Sequence, residues 1–159
     1  MGAVLRVASL VRLYRIADRR HRIRDGSGAA LHGGRWNSPG NPAIYAATSY
    51  SGALLEVLAH LGRATIPPTQ AYVIVDVPAS VLVLEQTPQT LPGGWSAPDS
   101  IVARQVGDDW LAAQSSAVLL VPSAIAQHDF NAIINPRHRA FKRLKPSVLH
   151  DVVWDRRLF

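Results

Sequence analysis

The 159-residue chain contains no cysteine. Disulfide bonds, thiolate metal sites and cysteine nucleophiles are therefore excluded. No apolar run approaches the ~18 residues that a membrane span needs. Arg6 and Arg12 also interrupt the moderately apolar start of the chain, where a signal peptide would need a continuous apolar stretch. From these absences we expect a cytoplasmic protein with no membrane partner.

Several familiar catalytic patterns are also missing. The six histidines are scattered along the chain, and none forms the HExxH pattern of a zinc-binding helix. There is no GxSxG turn to carry a serine nucleophile and no glycine-rich phosphate loop ending in Gly-Lys-Ser/Thr. The sequence therefore predicts no metal site and no bound cofactor.

The composition that is present indicates one globular domain covering 1–159, with 1–10 as a flexible N-terminal extension. Hydrophobic residues make up 48% of the chain and charged residues 18%, which are ordinary values for a folded protein. The formal net charge is +6. A basic balance favours anionic partners such as phosphorylated metabolites, nucleic acid or an acidic protein, although a solvated basic surface that aids solubility explains the charge equally well.

Hydrophobic periodicity predicts more strands than helices, joined in small mixed sheets, and so an α+β fold. One well-defined helix should run from Thr48 or Ser49 to Leu61, ended by Gly62. A long basic loop that contains at most a helical turn is expected over 17–38. The other predicted elements are strands at 11–16, 43–47, 72–77, 81–84, 117–121, 131–135 and 151–154 and a helix at 101–115.

Glu56 is the first residue whose position needs an explanation, because it lies inside the apolar helix segment ALLEVLAHL. Carboxylates are rarely buried unless they are paired. Gly52, Glu56, His60 and Arg63 also recur at helical spacing, so an ordinary solvated helix face would explain the same residue. The helix alone favours that ordinary interpretation, and a functional carboxylate remains the alternative.

The segment GGRWNSPG combines features of an anion- or nucleotide-binding loop. Its glycines expose backbone, Arg35 offers a phosphate-binding fork, Trp36 a stacking face and Asn37 hydrogen-bonding groups. A polar turn anchored to the core by its tryptophan would look the same.

Three further residues have both a functional and a structural interpretation. Ser123 follows a buried strand and Pro122, where it could line a site or cap the next segment. Asn131 could bind a ligand or form a turn. Tyr45 lies in a predicted strand, where a tyrosine is more often part of the core than a ligand platform.

Taken in order along the chain, these residues resemble the RES domain of RES/Xre toxin–antitoxin pairs, which is named for an arginine, a glutamate and a serine. The three would be Arg35 in GGRWNSPG, Glu56 in ALLEVLAH and Ser123 in VPSA. The resemblance spans roughly Val11 to Phe159 and includes the segments LYRI, AIYAA, FNAIINPRHRAF and WDRRLF. One departure is the pair His128-Asp129 that precedes Asn131.

The resemblance implies an ADP-ribosyltransferase-like fold, NAD as substrate and an Xre-type antitoxin as partner, with which the chain would form an oligomer. It implies cleavage of the nicotinamide–ribose bond, so that the toxin depletes NAD as a glycohydrolase or as a phosphorylase that uses inorganic phosphate. Candidate catalytic residues are Glu56, Arg35 and Ser123, and candidate substrate-binding residues are Arg15, Tyr45, Trp36, Asn37 and Asn131.

Three other functions remain open at this point. The chain could be a non-catalytic module that binds a nucleotide or a partner protein. The chain could transfer ADP-ribose to a protein target. It could instead be a basic domain that binds or cleaves nucleic acid, a possibility raised by the net charge and by the arginine-rich stretch Arg19–Arg24. The basic residues are not interleaved with aromatics as in known RNA-binding modules, so we do not expect direct nucleic-acid binding.

Overall fold

The computed structural model describes residues 4–6, 9–62 and 65–159. The strands are β1 (Val4–Arg6), β2 (Val11–Asp18), β3 (Ile44–Ala47), β4 (Gln70–Val77), β5 (Val83–Glu85), β6 (Val118–Pro122), β7 (Phe130–Ile134), β8 (Lys145–Pro146) and β9 (His150–Asp151). The α-helices are α1 (Ser27–His32), α2 (Tyr50–Leu61) and α3 (Ile101–Ala113), and short 3₁₀ helices cover Phe141–Arg143 and Arg156–Leu158.

The strands of the described residues form one nine-stranded sheet, where the sequence predicted several small ones. Their order is β1-β5-β6-β7-β3-β2-β4-β8, with β9 also paired to β4. The β5–β6 pair is parallel and the other pairs are antiparallel. Residues 4–6, within the segment 1–10 that was predicted as a flexible extension, pair with β5. Residues 1–3 and 7–8 lie outside the described residues, and the extension stays a prediction.

Each face of the sheet buries its own apolar cluster, because successive side chains along a strand point to opposite faces. One cluster includes Leu13, Val73, Ile44 and Ala132. We call the other side of the sheet the helix face, because its cluster combines Leu119, Val121 and Ile133 with residues of α3. α2 covers a different part of the helix face, beside β2 and β3.

The predicted limits of α2 are confirmed. Ser49 Oγ accepts a hydrogen bond from the Gly52 amide and caps the helix start, and Gly62 follows its last residue at φ +57°. At 100° per residue, Tyr50 and Glu56 lie on opposite flanks of Ala53, which is buried. Tyr50 packs against Tyr14 and Tyr72 on one flank, so Glu56 is directed toward β6 and β7 on the other.

Two regions differ from the sequence prediction. The basic segment 17–38 contains α1, which at six residues is somewhat longer than the helical turn expected there. The strand predicted at 151–154 extends only over His150–Asp151, and the chain then leaves β4 and forms a 3₁₀ helix. Neither difference moves the elements that carry the candidate site.

Candidate functional site

Glu56 lies half-buried at the centre of a small polar cluster on the helix face. Its oxygen Oε1 accepts a hydrogen bond from Asn131 Nδ2 at 2.7 Å and another from Ser123 Oγ at 3.2 Å. In the described part of the chain, no hydrogen bond is made to the other oxygen, Oε2. The carboxylate is therefore fixed through one oxygen while the second is left for a ligand. We call Glu56, Ser123 and Asn131 the Glu56 cluster.

Ser123 is buried at the end of β6, and its hydroxyl is fully engaged. The hydroxyl donates to Glu56 and accepts the backbone N–H groups of Ile125 and Ala126 at 3.2 and 3.0 Å. The capping interpretation is confirmed, because the hydroxyl oxygen accepts both backbone N–H groups of the following turn, and the same hydroxyl also contacts the Glu56 carboxylate. In this arrangement Ser123 holds Glu56 and has no further donor for a ribose or a phosphate.

Sheet register explains why Asn131 reaches Glu56. Asn131 lies directly opposite Ala47 on β3 and Val121 on β6, so its side chain points to the helix face. Gly52 of α2 lies above Ala47, since a Cβ at Gly52 would be 3.5 Å from the Ala47 Cβ. Glu56 is one helical turn further along, which brings it over the start of β7.

Tyr45 supports the arginine-bearing loop from below. Its hydroxyl donates to Asn37 Oδ1 at 2.6 Å and accepts the Trp36 backbone N–H at 3.0 Å. Burial raises the pKa of the Tyr45 hydroxyl, although its hydrogen bond from Trp36 opposes the shift. A Cβ at Gly34 would lie 2.5 Å from this hydroxyl, so glycine is required where the loop crosses the tyrosine.

Trp36 and Asn37 are both buried beneath the loop. Trp36 packs among α3 and β6 residues and stacks with Trp95 at a ring-centroid distance of 6.3 Å. Asn37 Nδ2 donates to the carbonyls of Ala29, Ser38 and Asn41. The structure therefore places both residues in the loop's internal framework, with no ring face or amide of theirs presented to a substrate.

Arg35 remains half-exposed above that framework. Its Nη1 donates to the carbonyls of Trp95 at 3.1 Å and Ala97 at 2.7 Å. Within the described residues, Nε and Nη2 make no hydrogen bonds. Backbone carbonyls carry no charge, so the guanidinium keeps its full positive charge and its remaining donors for an anion.

Arg15 is not placed beside Glu56. It lies opposite Val73 in register and therefore points to the sheet face away from α2. Its guanidinium donates to the carbonyls of Ile23 at 2.5 Å and Tyr45 at 2.8 Å. Burial lowers the pKa of Arg15 to about 10, partly offset by the charge of Asp25. Arg15 therefore lies on the opposite sheet face from Glu56, with its guanidinium bound to two backbone carbonyls. Its role in substrate binding stays a prediction.

Asp108 on α3 was not identified from the sequence, yet it holds the far end of the arginine-bearing loop. Its carboxylate accepts the Ser38 backbone N–H at 2.9 Å, the Ser38 hydroxyl at 2.5 Å and Asn41 Nδ2 at 2.8 Å. Burial opposes ionisation of Asp108, but these hydrogen bonds and the charge of Arg104 hold its pKa below the usual value. A glycine at 107, inside a helix, was the available signal that another backbone approaches there.

Residues 12–155 match the RES domain family. The chain belongs to the RES-domain family. A relative from Sphingobium sp. (strain YBL2), named Prs ADP-ribosylating toxin, is 36% identical over 156 residues, or 96% of this chain and 94% of the relative. A protein named Toxin Res from Photorhabdus laumondii is 40% identical over 119 residues, which cover 74% of this chain and 76% of that protein's length.

The fold is also that of a solved structure. A chain of the M. tuberculosis MbcT–MbcA toxin–antitoxin complex superposes with a TM-score of 0.75, covering 93% of this RES domain and 87% of that chain at 24% identity. The predicted α+β fold is confirmed, and it is the fold of that toxin–antitoxin structure.

Other features of this RES domain define what surrounds the site. Among residues 4–6, 9–62 and 65–159, no group of three histidine, aspartate or glutamate side chains could hold a metal ion. No helix in those ranges is long and apolar enough to cross a membrane. Surface cavities of about 420 and 400 Å³ lie beside 21–25 and beside α3. Neither cavity includes Glu56. Arg63, the last residue of the helical spacing that includes Gly52, Glu56 and His60, lies outside the described residues.

Proposed function

We propose that this chain is the toxin of a toxin–antitoxin pair and that it cleaves the nicotinamide–ribose bond of NAD. The observation that carries the proposal is the half-buried Glu56 carboxylate, held through Oε1 by Ser123 and Asn131 with Oε2 left for a substrate. Membership of the RES family and relatives named as toxins support the same function.

The chemistry requires one well-placed carboxylate. As the bond to nicotinamide breaks, the ribose becomes oxocarbenium-like, and a fixed negative charge beside the anomeric carbon stabilises it. Ordinary glycosidases also need an acid, because an alkoxide leaving group must be protonated. Nicotinamide is cationic before cleavage and leaves as a neutral molecule, so no proton has to be supplied. Glu56 can serve alone.

The two donors to Glu56 hold the carboxylate in place before the substrate arrives. Asn131 is fixed by the β-sheet and Ser123 by the turn that it caps, so Oε1 cannot rotate away without losing both hydrogen bonds. A carboxylate that is already oriented needs no reorganisation as charge develops on the ribose. In this proposal Ser123 and Asn131 are positioning residues.

Arg35 is the candidate ligand for the NAD diphosphate. Its free guanidinium donors match phosphate oxygens geometrically, and the loop that presents it is fastened by Tyr45, Trp36 and Asp108. Arg104, which approaches the Gly34 carbonyl at 3.5 Å, adds a second positive charge to the same loop. The diphosphate would therefore bind at this loop, with no contribution from Arg15.

The acceptor of the ADP-ribosyl group separates two versions of the proposal. Water or inorganic phosphate as acceptor would make the chain an NAD glycohydrolase or phosphorylase that depletes NAD. A protein acceptor is the second candidate, favoured by the relative named an ADP-ribosylating toxin. Mass spectrometry of the products, with and without phosphate and with a cell extract as acceptor, distinguishes free ADP-ribose, ADP-ribose 1″-phosphate and modified protein.

The proposed partner is an Xre-type antitoxin that assembles with the chain into an oligomer. A toxin that consumes NAD must be restrained, and the solved structure with the same fold is a toxin–antitoxin complex. The antitoxin would inhibit by covering Glu56 and so excluding NAD from its free carboxylate oxygen. Adding it to the NAD assay should abolish nicotinamide release.

The central test compares nicotinamide release by wild type, Glu56→Gln and Asp109→Asn. The last is a matched acid-to-amide control on the exposed side of α3, where Asp109 accepts a hydrogen bond from Gln105. Loss of one preorganised electrostatic contact costs roughly 100- to 1,000-fold in rate, so Glu56→Gln should fall by at least ~100-fold while Asp109→Asn stays close to wild type. Equal release by wild type and Glu56→Gln, or none by wild type, would refute the proposal.

A further inference from the structure

A second charged feature lies outside the Glu56 cluster. Between Asp129 and Asp151 the chain has no acidic residue, yet nine consecutive positions, 137–145, contain five cations, including both lysines of the chain. We call this segment the basic stripe; its cations are Arg137, Arg139, Lys142, Arg143 and Lys145, and all five are exposed.

The cations of the stripe are largely unneutralised. The ion pairs of the described residues involve other arginines, at 12, 19, 20 and 157. Arg143 donates to the Ser80 hydroxyl, which is uncharged. The nearest carboxylate in register is Asp76, which lies opposite Lys145 but is bound by Arg12 at 2.7 Å. Within the described residues, the stripe therefore concentrates positive charge that no ion pair neutralises.

The backbone of the stripe is fixed by the core. Leu144 is buried, and Ala140 and Phe141 pack against the apolar cluster on the face opposite α2. A 3₁₀ helix covers Phe141–Arg143, and Lys145 pairs with β4. The charged ends are thus presented by an ordered segment, so binding needs to order only the side chains.

The chemistry of the surface identifies the kind of partner. Protein interfaces rely on buried apolar or aromatic anchors surrounded by a polar rim. Every large apolar residue of the stripe faces the core, and none is among the exposed ones. Nucleic-acid interfaces are instead polar and strongly positive, and most of their contacts are to phosphates. We propose that the basic stripe binds the phosphodiester backbone of nucleic acid, without sequence preference.

This surface is separate from the proposed active site. Asn131 is near the start of β7. The other end of β7, Ile134, is about 10 Å further along at ~3.3 Å per residue, and the stripe begins beyond it. Nucleic-acid binding therefore does not depend on NAD cleavage, and each can be tested when the other fails. The proposal departs from the prediction from sequence that the chain does not bind nucleic acid directly, and the stripe is a different surface from the stretch Arg19–Arg24.

The test is fluorescence anisotropy of the full chain with a labelled DNA duplex and a labelled single-stranded RNA of the same length, across a salt series. Each phosphate contact contributes about −0.9 to the slope of log K against log salt for duplex DNA. Four contacts give a slope of about −3.6, so affinity should fall roughly 150-fold between 50 and 200 mM salt. A labelled poly-glutamate of similar length tests for an acidic protein partner.

Two quadruple variants that lose the same charge provide the comparison. One changes Arg137, Arg139, Lys142 and Lys145 to glutamine, and the control changes the exposed Arg22, Arg24, Arg156 and Arg157 to glutamine. The stripe variant should lose at least ~30-fold in affinity at 50 mM salt and about three units of slope, whereas the control should change less than ~3-fold. Thermal melting checks that both quadruple variants are folded. If the stripe variant is not folded, the double variant Lys142→Gln with Lys145→Gln replaces it.

The possible outcomes are decisive. Binding of DNA or RNA that depends on the stripe supports the proposal, and the two labelled probes show which nucleic acid binds more tightly. Absence of binding to both, equal losses in the two quadruple variants, or tighter binding to poly-glutamate than to either nucleic acid would overturn it.

Discussion

A methyl group added at Gly107 would collide with the loop that carries Arg35. A Cβ at Gly107 would lie 1.7 Å from the Trp36 carbonyl oxygen, whereas ordinary contacts begin at 3.4 Å. Because the obstacle is backbone, α3 and the loop must move apart. Overpacking costs typically 1–3 kcal/mol, and a backbone collision belongs at or above the upper end. The ~1 kcal/mol by which alanine is preferred over glycine inside a helix offsets part of this cost.

Gly107→Ala should therefore lower the free energy of unfolding by about 2 kcal/mol. For a chain of this size that corresponds to a fall in melting temperature of about 4–8 °C. Gly28→Ala in α1 is the matched control, since no atom lies within 4 Å of its added Cβ. Helix propensity alone should act there and raise the melting temperature by up to ~4 °C.

The assay is thermal unfolding followed by circular dichroism, with the Michaelis constant for NAD measured on the folded variants. Displacement of the loop should raise that constant for Gly107→Ala and leave it unchanged for Gly28→Ala. If Gly107→Ala melts at or above the wild-type temperature, α3 does not seat the loop and the reasoning is wrong.

Three further predictions concern the site and its supports. Asn131→Ala removes the shorter hydrogen bond to the Glu56 carboxylate and should reduce kcat by roughly 10- to 100-fold. Ser123→Ala should reduce kcat less, but it should also lower the free energy of unfolding by about 1 kcal/mol because the cap is lost. A larger loss of kcat in Ser123→Ala than in Asn131→Ala would contradict the geometry. Arg15→Met should lower the free energy of unfolding by about 1–3 kcal/mol, since two carbonyls lose their donor, while the Michaelis constant for NAD stays within ~2-fold; a large rise would place Arg15 in the binding site after all. Because the folded protein lowers the pKa of Asp108, this residue stabilises the fold fully above its unfolded pKa, and the stabilisation is lost as pH falls through the lower folded value. Between pH 5 and 2.5, the free energy of unfolding in urea should therefore fall less for Asp108→Asn than for wild type. Identical pH profiles would show that the Asp108 carboxylate does not stabilise the loop.

The sequence predicted those elements whose limits depend on residues close to them along the chain. The limits of α2 followed from the serine before it and the glycine after it, and both side-chain and backbone geometry agree. Glu56 was notable because a carboxylate in an apolar helix needs a partner. Its two partners come from β6 and β7, more than sixty residues away, and their distances depend on a sheet order that no local pattern contains.

The same limit explains the placement of Arg15 and of Asp108. Alternation along β2 puts Arg15 on the face with Leu13, but the sequence does not say which face α2 covers, so the arginine could not be assigned to a side of the sheet. Asp108 resembles any polar residue on a helix until the loop at Ser38 is known to pack against it. Trp36 and Asn37 were placed in the correct loop, and their burial follows from how that loop folds over Tyr45.

The most direct measurement separates substrate binding from bond cleavage. NAD affinity and the single-turnover rate of nicotinamide release would be measured for wild type and Glu56→Gln under the same conditions. Arg35 and its loop are intact in the variant, so we predict a dissociation constant within ~3-fold of wild type and a rate at least ~100-fold lower. A variant that releases nicotinamide at the wild-type rate would show that the charge of Glu56 does not stabilise the reacting ribose.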